Sequence, residues 1–207
     1  TIGTNPIFKE DKLYLMDNNE NVRIQAVERT KRLVDLAEKL DKACVCIGKY
    51  RGNIMSCGME ESMSILTDEL KDIAAYAGKK GVKIMIEPQS ESNIDNIFTA
   101  EDAVKIIERT GCKNIGILYD FFHGNLAEKD MYEAIEKYGK YFGFIHCSDS
   151  ERKIPSEGTI NINKAFEVLY KTGYSDYVSL EIEQGQDTFE TAKKSIEVLK
   201  NAEKSIS

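Results

Sequence analysis

The sequence predicts an α/β fold in which a parallel sheet closes toward a (β/α)8 barrel. Three observations lead to this prediction. Short apolar segments alternate with amphipathic helical stripes along the whole chain. The alternation recurs at intervals of roughly 26 to 39 residues, which is typical of βαβ units. Four consecutive apolar segments also end on an acidic or imidazole side chain.

Composition limits the class of protein. The chain has 207 residues with 42% hydrophobic content, enough for one sizeable core, so we expect a single domain over residues 1–207. The net charge is −7 and there is no block of Lys and Arg, which argues against a nucleic-acid partner. No apolar run reaches the roughly 18 residues of a membrane span, and no signal-peptide core opens the chain. We therefore expect a cytoplasmic protein without a membrane partner.

The cysteines support the same compartment. There are five, an odd number, and none forms a C-x-x-C pair or a spacing typical of a structural zinc site. We expect reduced thiols.

The predicted elements follow in order along the chain. Five apolar segments, bounded by turn residues and too short for helices, are predicted as strands. They end near Gly48, Glu87, Asp120, Cys147 and Glu181. Helical stripes cover about residues 20–40, 60–78, 99–111, 131–138 and 188–200, and a further helix includes Phe166 and Leu169. The third of these helices begins with a capping-box pattern at Thr99 and Asp102 and ends at Gly111.

The strand ends favour a barrel over an open sheet. Five strands alone would suggest an open sheet, because a closed barrel needs eight strands and roughly 250 residues. However, Glu87, Asp120, His146 and Glu181 each lie at the carboxyl end of a predicted strand. In a parallel barrel these ends converge on one mouth, so the four side chains would meet there.

A cluster of three carboxylates and one imidazole predicts a metal site. Burying several carboxylates together is too costly unless a cation neutralises them. A donor set rich in oxygen, with one nitrogen and no thiolate, favours Mn²⁺, with Co²⁺, Mg²⁺, Fe²⁺ and Zn²⁺ as alternatives. Taken singly, each residue has an ordinary interpretation. The acids would be solvated loop residues, His146 a core histidine, His123 a loop residue and Arg152 a surface charge.

Four motifs together resemble a known family. They read IEP with Glu87, YDFFHGNLAE with Asp120 and His123, HCSDSERKIPSEG with His146 and Arg152, and SLE with Glu181. The intervals between the four strand-end residues are 33, 26 and 35. This ordered set resembles the xylose isomerase-like TIM barrels, and within them the ketose 3-epimerases of the D-tagatose and D-psicose type, also described as sugar phosphate isomerase/epimerases.

The resemblance implies a fold and a role for each motif residue. Glu87, Asp120, His146 and Glu181 would hold the metal, and His123 and Arg152 would contact substrate oxygens. The chain would be the C-terminal part of a TIM barrel, about five βα units, without the first three strands. The resemblance also implies a homo-oligomer, a dimer or tetramer.

The predicted chemistry is epimerisation or isomerisation of a ketose or related sugar. A metal bound to the carbonyl oxygen acidifies the neighbouring C–H, because it stabilises the enediolate that forms. One carboxylate removes the proton and a second acid/base on the opposite face returns it. We assign Glu87 and Glu181 to this catalytic pair, and Arg152 to orienting substrate oxygens.

Three alternatives stay open at this point. The same core could serve an aldose-ketose isomerase, a metal-dependent dehydratase of a keto-polyol, as in the inosose dehydratases, or a non-catalytic sugar-binding protein. The epimerase pattern EPxNRxE reads EPQSESN here, so Asn93 replaces an expected glutamate, and Asn161 replaces an acid after the PSEG turn. A DNA-cleaving relative with a multi-zinc cluster is disfavoured, since the chain has two histidines.

Overall fold

Six parallel strands form one sheet in chain order in the computed structural model, which describes residues 1–41 and 43–205. The strands are β1 (Ile2–Gly3), β2 (Val45–Ile47), β3 (Ile84–Ile86), β4 (Ile115–Asp120), β5 (Phe142–Cys147) and β6 (Val178–Leu180). Each pairs in parallel with the next, and β1 and β6 lie at the two edges. The sheet is therefore a half-barrel, which confirms a partial barrel of the predicted fold class.

The described residues include seven α-helices. They are α1 (Glu20–Lys39), α2 (Met59–Gly78), α3 (Ala100–Thr110), α4 (Phe121–Ala127), α5 (Met131–Tyr138), α6 (Ile162–Lys171) and α7 (Thr188–Lys204). The predicted signals at both ends of α3 are confirmed. Thr99 and Asp102 form the reciprocal capping box, and Gly111 ends the helix with a left-handed φ of 66°.

Two elements differ from the prediction. Residues 1–41 and 43–205 contain six strands where the sequence suggested five, because Ile2–Gly3 pairs with Val45 and Cys46. Two residues are too few to produce an apolar period, so this strand has no sequence signal. The segment after Asp120, expected as a loop, is the short helix α4. Six of the eight strands of a closed barrel are thus present, one more than expected.

Two apolar layers cover the two faces of the sheet. The large layer packs strands against helices and includes Val45, Ile84, Ile117 and Ile145. The other is a small cluster of Cys46, Met85, Leu118 and Phe144, which we call the inner cluster. Its members come from β2 to β5, one from each strand, and alternate with residues of the large layer. The inner cluster therefore lies on the concave face of the half-barrel.

All five cysteines are free thiols, as the sequence predicted. Among the residues described, no helix has the length and apolar character required to cross a bilayer.

Candidate metal and substrate site

The predicted ligands lie directly above the inner cluster. Glu87, Asp120 and His146 each follow by two positions a member of that cluster, namely Met85, Leu118 and Phe144. Residues two apart on a strand share a face, so these three side chains enter the concave face at the carboxyl ends of the strands. Asp120 and His146 are also paired in register between β4 and β5. Glu181 follows β6 directly.

The structure brings all four predicted ligands together. One ligand atom from each of Glu87, Asp120, His146 and Glu181 lies within 4.8 Å of the others. The Nδ1 atom of His146 is 3.4 Å from Oε1 of Glu87, 3.8 Å from Oδ2 of Asp120 and 3.0 Å from Oε2 of Glu181. Asp120 is fully buried and Glu87 nearly so, whereas 45% of the Glu181 side chain is exposed. We call these residues the four-residue cluster.

The unsatisfied nitrogen of His146 shows that the cluster fits a cation. Nδ1 is buried and has no hydrogen-bond partner of good geometry, although three carboxylates surround it. Buried polar atoms rarely remain unpaired in folded proteins. Three carboxylate oxygens and one imidazole nitrogen converging on one point are suitable ligands for a divalent metal. The four-residue cluster could therefore bind such an ion.

The charges within the cluster shift each other's pKa. Burial acts to lower the pKa of His146, but its contacts with Asp120, Glu181 and Glu87 outweigh burial and raise it to about 11. Burial raises the pKa of Asp120 above its usual range. For Glu181 burial acts in the same direction, but the contacts with His146 and Asp120 together hold its pKa well below its usual value. The cluster thus carries excess negative charge, which attracts cations.

Glu87 is fixed by neighbours that the sequence did not identify. Nε2 of Gln89 donates to its Oε2 at 2.6 Å, and Nη1 of Arg51 donates to its backbone carbonyl at 2.8 Å. Arg51 is completely buried and Gln89 is 8% exposed. Both would be interpreted from the sequence as loop residues, because Arg51 is separated from Glu87 by α2 and Gln89 follows the strand without any local motif. Only the structure identifies them as supports of the site.

Asp120 has two roles in the fold. Its Oδ1 accepts a hydrogen bond from the backbone N–H of Phe122 at 2.8 Å, which caps the N-terminus of α4. Its Oδ2 faces the cluster and accepts from Nη1 of Arg152 at 2.6 Å. The cap fixes the rotation of the carboxylate, so one oxygen is directed toward the cluster.

His123 lies beside the cluster, on α4, and is buried rather than in a loop. Only 2% of the residue is exposed, and its Nδ1 is 3.3 Å from the backbone nitrogen of Ser90. Its Nε2 lies 3.2 Å from Nη2 of Arg152. Burial lowers the pKa of His123, so the ring is neutral at neutral pH.

Arg152 lies next to the four-residue cluster and is not a surface charge. Its Nη1 donates to Oδ2 of Asp120 at 2.6 Å and to Oε2 of Glu181 at 2.7 Å. Its guanidinium carbon lies 4.5 Å from the centroid of the Phe122 ring. An open cleft of about 670 Å³ is lined in part by Arg152 and Phe122. The structure thus places both predicted substrate contacts next to the predicted ligands.

The two residues that differ from the epimerase pattern lie in different structural surroundings. Asn161 caps the N-terminus of α6, because its side chain accepts from the backbone N–H of Lys164 at 3.0 Å. An asparagine performs this capping role as well as an acid. Asn93 is half-buried in the turn after β3, where its N–H donates to the carbonyl of Ser90.

Comparison with known proteins agrees with this geometry. The model of the xylose isomerase-like TIM barrel family matches residues 4–202. An L-ribulose 3-epimerase of Mesorhizobium japonicum is 31% identical over 184 residues, which cover 87% of this chain and 61% of the relative. A 3-dehydro-D-guloside 4-epimerase of Escherichia coli K12 is 27% identical over 123 residues, 59% of this chain and 47% of the relative.

Solved structures show the same fold. A D-tagatose 3-epimerase-like protein superposes with a TM-score of 0.82 at 26% identity, over 94% of this chain and 74% of the other. The apo structure of the E. coli 3-keto-D-glucoside 4-epimerase gives a TM-score of 0.83 at 20% identity, over 91% and 75%. The chain spans 47% to 61% of the length of the two curated relatives above. A family match over nearly the whole chain, with the fold and the strand-end cluster, establishes that this chain belongs to the xylose isomerase-like TIM barrel family.

Proposed function

We propose that this protein is an isomerase that epimerises or isomerises a ketose or related sugar with the help of a divalent metal. The observation that carries the proposal is the buried Nδ1 of His146, which lacks a hydrogen bond amid three carboxylates. Three carboxylates with an oxygen within 3.8 Å of this nitrogen form, together with it, a set of donors that suits a divalent cation. Glu87, Asp120, His146 and Glu181 would hold the metal.

Metal binding would supply one effect, the stabilisation of negative charge on substrate oxygens as a C–H bond beside a carbonyl is broken. The remaining chemistry would belong to the side chains. Glu87 and Glu181 come from strands β3 and β6, at opposite sides of the cluster. One would remove the proton and the other would return a proton to the opposite face.

The environments of the two glutamates differ in a way that suits this division. Glu87 is buried, and its Oε2 is held by Gln89, which leaves Oε1 facing His146. Glu181 is half-exposed, so a proton on it can exchange with water. The low pKa of Glu181 keeps it ionised at neutral pH, so its carboxylate is free to accept a proton. Arg152, which lines the cleft, and His123 beside it would contact substrate oxygens.

A solvent-exchange experiment tests this function. The chelated full chain is reconstituted with Mn²⁺ and incubated in D₂O with ketoses such as L-ribulose, D-psicose and D-tagatose, and the products are followed by NMR. We expect a C3 epimer, or the matching aldose, with deuterium at the carbon that lost its proton. Loss of water without any epimer or isomer would overturn the proposal in favour of a dehydratase.

Glutamine variants test the assigned pair. Glu87→Gln and Glu181→Gln should each reduce turnover by about 10³-fold or more, because each removes an acid/base group, while the circular dichroism spectrum is retained. Glu197→Gln on the exposed face of α7 is the matched control and should leave turnover unchanged. Normal turnover in either cluster variant would contradict the assignment. An absence of both turnover and Mn²⁺ binding would favour a non-catalytic sugar-binding protein.

Further parts of the proposal come from the sequence. Mn²⁺ is favoured over Co²⁺, Mg²⁺, Fe²⁺ and Zn²⁺ by the three carboxylates among four donors, and competition titrations with these ions test that order. We also propose that the chain is a single cytoplasmic domain, the C-terminal part of a TIM barrel. We propose further that the protein is a homo-oligomer, a dimer or tetramer. Light scattering of the full chain tests the oligomeric state.

A further inference from the structure

The guanidinium of Arg152 contacts two of the four cluster residues. Its Nη1 donates to Oδ2 of Asp120 at 2.6 Å and to Oε2 of Glu181 at 2.7 Å. Both oxygens lie within 4 Å of Nδ1 of His146. A single positively charged nitrogen therefore bridges two carboxylates that the proposed metal would also need.

The other side of the guanidinium contacts His123. Nη2 of Arg152 lies 3.2 Å from Nε2 of His123. Nδ1 of His123 lies 3.3 Å from the backbone nitrogen of Ser90 and 3.2 Å from its Oγ. The neutral His123 ring carries no negative charge, so the carboxylate partners of Arg152 are Asp120 and Glu181.

The backbone that carries Arg152 is also strained. Glu151 and Arg152 both have a φ of 58°, in the left-handed region that residues other than glycine rarely adopt. Two consecutive residues in this conformation need compensating contacts. The carbonyl of Arg152 accepts from the N–H of Glu183 at 2.8 Å, and the side chain forms its ion pairs with Asp120 and Glu181.

We propose that Arg152 is an internal cation that competes with the divalent metal for Asp120 and Glu181. In the metal-free protein its charge partly neutralises these carboxylates, and a metal that takes the lone pairs used by Nη1 displaces it from at least one of them. Arg152 therefore weakens metal binding, and its displaced guanidinium becomes available to substrate oxygens. This inference rests on the metal site of the proposed function.

Direct measurement of metal affinity tests the inference without an activity assay. The full chain is chelated and titrated with Mn²⁺ in a calorimeter, as wild type and as Arg152→Met, which keeps an apolar side chain near Phe122 but removes the charge. We expect Arg152→Met to bind Mn²⁺ at least about tenfold more tightly than the wild type, since a unit positive charge no longer contacts two of the proposed metal-ligating residues. Arg152→Lys keeps the charge without the planar fork and should fall between the two.

The neighbouring residue provides a matched control. Lys153 carries the same charge one position along the loop, but its ammonium pairs with Glu151 and is about half-exposed. Lys153→Met should leave the Mn²⁺ dissociation constant within about twofold, because an exposed charge is screened by solvent. A comparable gain in this variant would mean that net charge, and not displacement of Arg152, sets the affinity, and would overturn the inference.

The outcomes separate this inference from the proposed function. If the wild type binds Mn²⁺ and Arg152→Met binds it equally or more weakly, the competition is refuted while the metal site remains. If neither protein binds, the metal site itself is refuted. If only the variant binds, the competition is confirmed.

The melting temperature of the metal-free variant gives a second readout: it should fall, and added Mn²⁺ should raise it further than in the wild type. If Arg152→Met does not fold, Arg152→Lys decides by the same comparison.

Discussion

A Cβ atom at Gly48 would lie 2.5 Å from Oε2 of Glu87, closer than real side-chain contacts allow. It would also lie 2.7 Å from Nε2 of Gln89. Gly48 follows β2 directly, at the position where the neighbouring strand β3 is followed by Glu87. The end of β2 therefore contributes space to the site, and the hydrogen-bonded pair of Glu87 and Gln89 occupies it.

The first prediction follows from this close approach. Gly48→Ala should push Glu87 or Gln89 out of place and weaken Mn²⁺ binding by about tenfold or more, since ligand positions must hold to within about half an ångström. Calorimetric titration of the chelated protein measures the effect. Gly3→Ala is the matched control, because it also ends a parallel strand and its added Cβ would meet nothing within 4 Å. Equal affinity in the two variants would disprove the steric argument.

The second prediction separates the two roles of Asp120. Asp120→Asn keeps an oxygen that can cap α4 but loses the negative charge, so metal affinity should fall at least about tenfold with the cap retained. Asp120→Ala loses both, and should lower the free energy of unfolding by about 1 kcal/mol more than Asp120→Asn does. Urea denaturation of the metal-free proteins and Mn²⁺ titration measure these quantities.

An independent cap controls for the second prediction. The Oδ1 atom of Asp130 accepts from the backbone N–H groups of Tyr132 and Glu133 at the start of α5, outside the cluster. Asp130→Ala should therefore destabilise the fold by a similar amount, about 1 kcal/mol, without changing metal affinity. Asp120 would not be a metal ligand if Asp120→Asn bound Mn²⁺ as tightly as Asp130→Ala does.

The third prediction concerns pH. In the metal-free protein the surrounding carboxylates raise the pKa of His146 to about 11, so the ring is protonated at neutral pH. A metal binds the neutral ring, so binding must release this proton. Below pH 11 the Mn²⁺ association constant should therefore rise with pH, by up to about tenfold per unit.

The same raised pKa affects the stability of the metal-free fold. His146 contributes most to stability below its pKa in the unfolded chain, about 6.5, and this contribution is lost as pH rises through 11.

Proton release is measured directly by calorimetry in two buffers of different ionisation enthalpy. The wild type should release about one proton per Mn²⁺ near pH 7.5. His123→Asn removes the chain's other histidine, whose ring is neutral, and should leave that number unchanged. His146→Ala should abolish the release and weaken binding. Mn²⁺ binding to the wild type without any proton release would contradict a protonated His146.

The ligand set was predictable from the sequence because it depends on one rule. Strands of a parallel barrel end at one mouth, and four predicted strands end on a metal-capable side chain, so residues as distant as Glu87 and Glu181 were expected to meet. The structure brings Glu87, Asp120, His146 and Glu181 together. His123 and Arg152 were expected next to them only from the family resemblance, since taken alone each has an ordinary interpretation.

The supports of the site could not be predicted in this way. Gly48, Arg51 and Gln89 contact Glu87 through a steric gap, a buried guanidinium and a side-chain amide. None of these contacts has a period or a local motif: Gly48 and Arg51 are separated from Glu87 by α2, and the contact of Gln89 depends on the path of the loop after β3. Strand β1 was missed for a similar reason, since two residues acquire their strand identity only from pairing with β2.

The fourth prediction concerns Arg51, which is completely buried. Its guanidinium donates to four backbone carbonyls, those of Gly48, Glu87, Asn96 and Ile97, at 2.8 to 3.1 Å, and to Oδ1 of Asn96 at 2.8 Å. Burial lowers its pKa to about 10, so it stays charged at neutral pH.

Arg51→Met would leave several buried carbonyls without donors, and should lower the free energy of unfolding by about 3 kcal/mol or more in urea denaturation. Arg51→Lys keeps the charge but not the planar fork that reaches several acceptors, so it should recover only part of this loss. Arg109→Met, on the exposed face of α3, should change stability by no more than about 0.5 kcal/mol. A loss in Arg51→Met as small as in Arg109→Met would show that the buried guanidinium does not hold the strand end that carries Glu87.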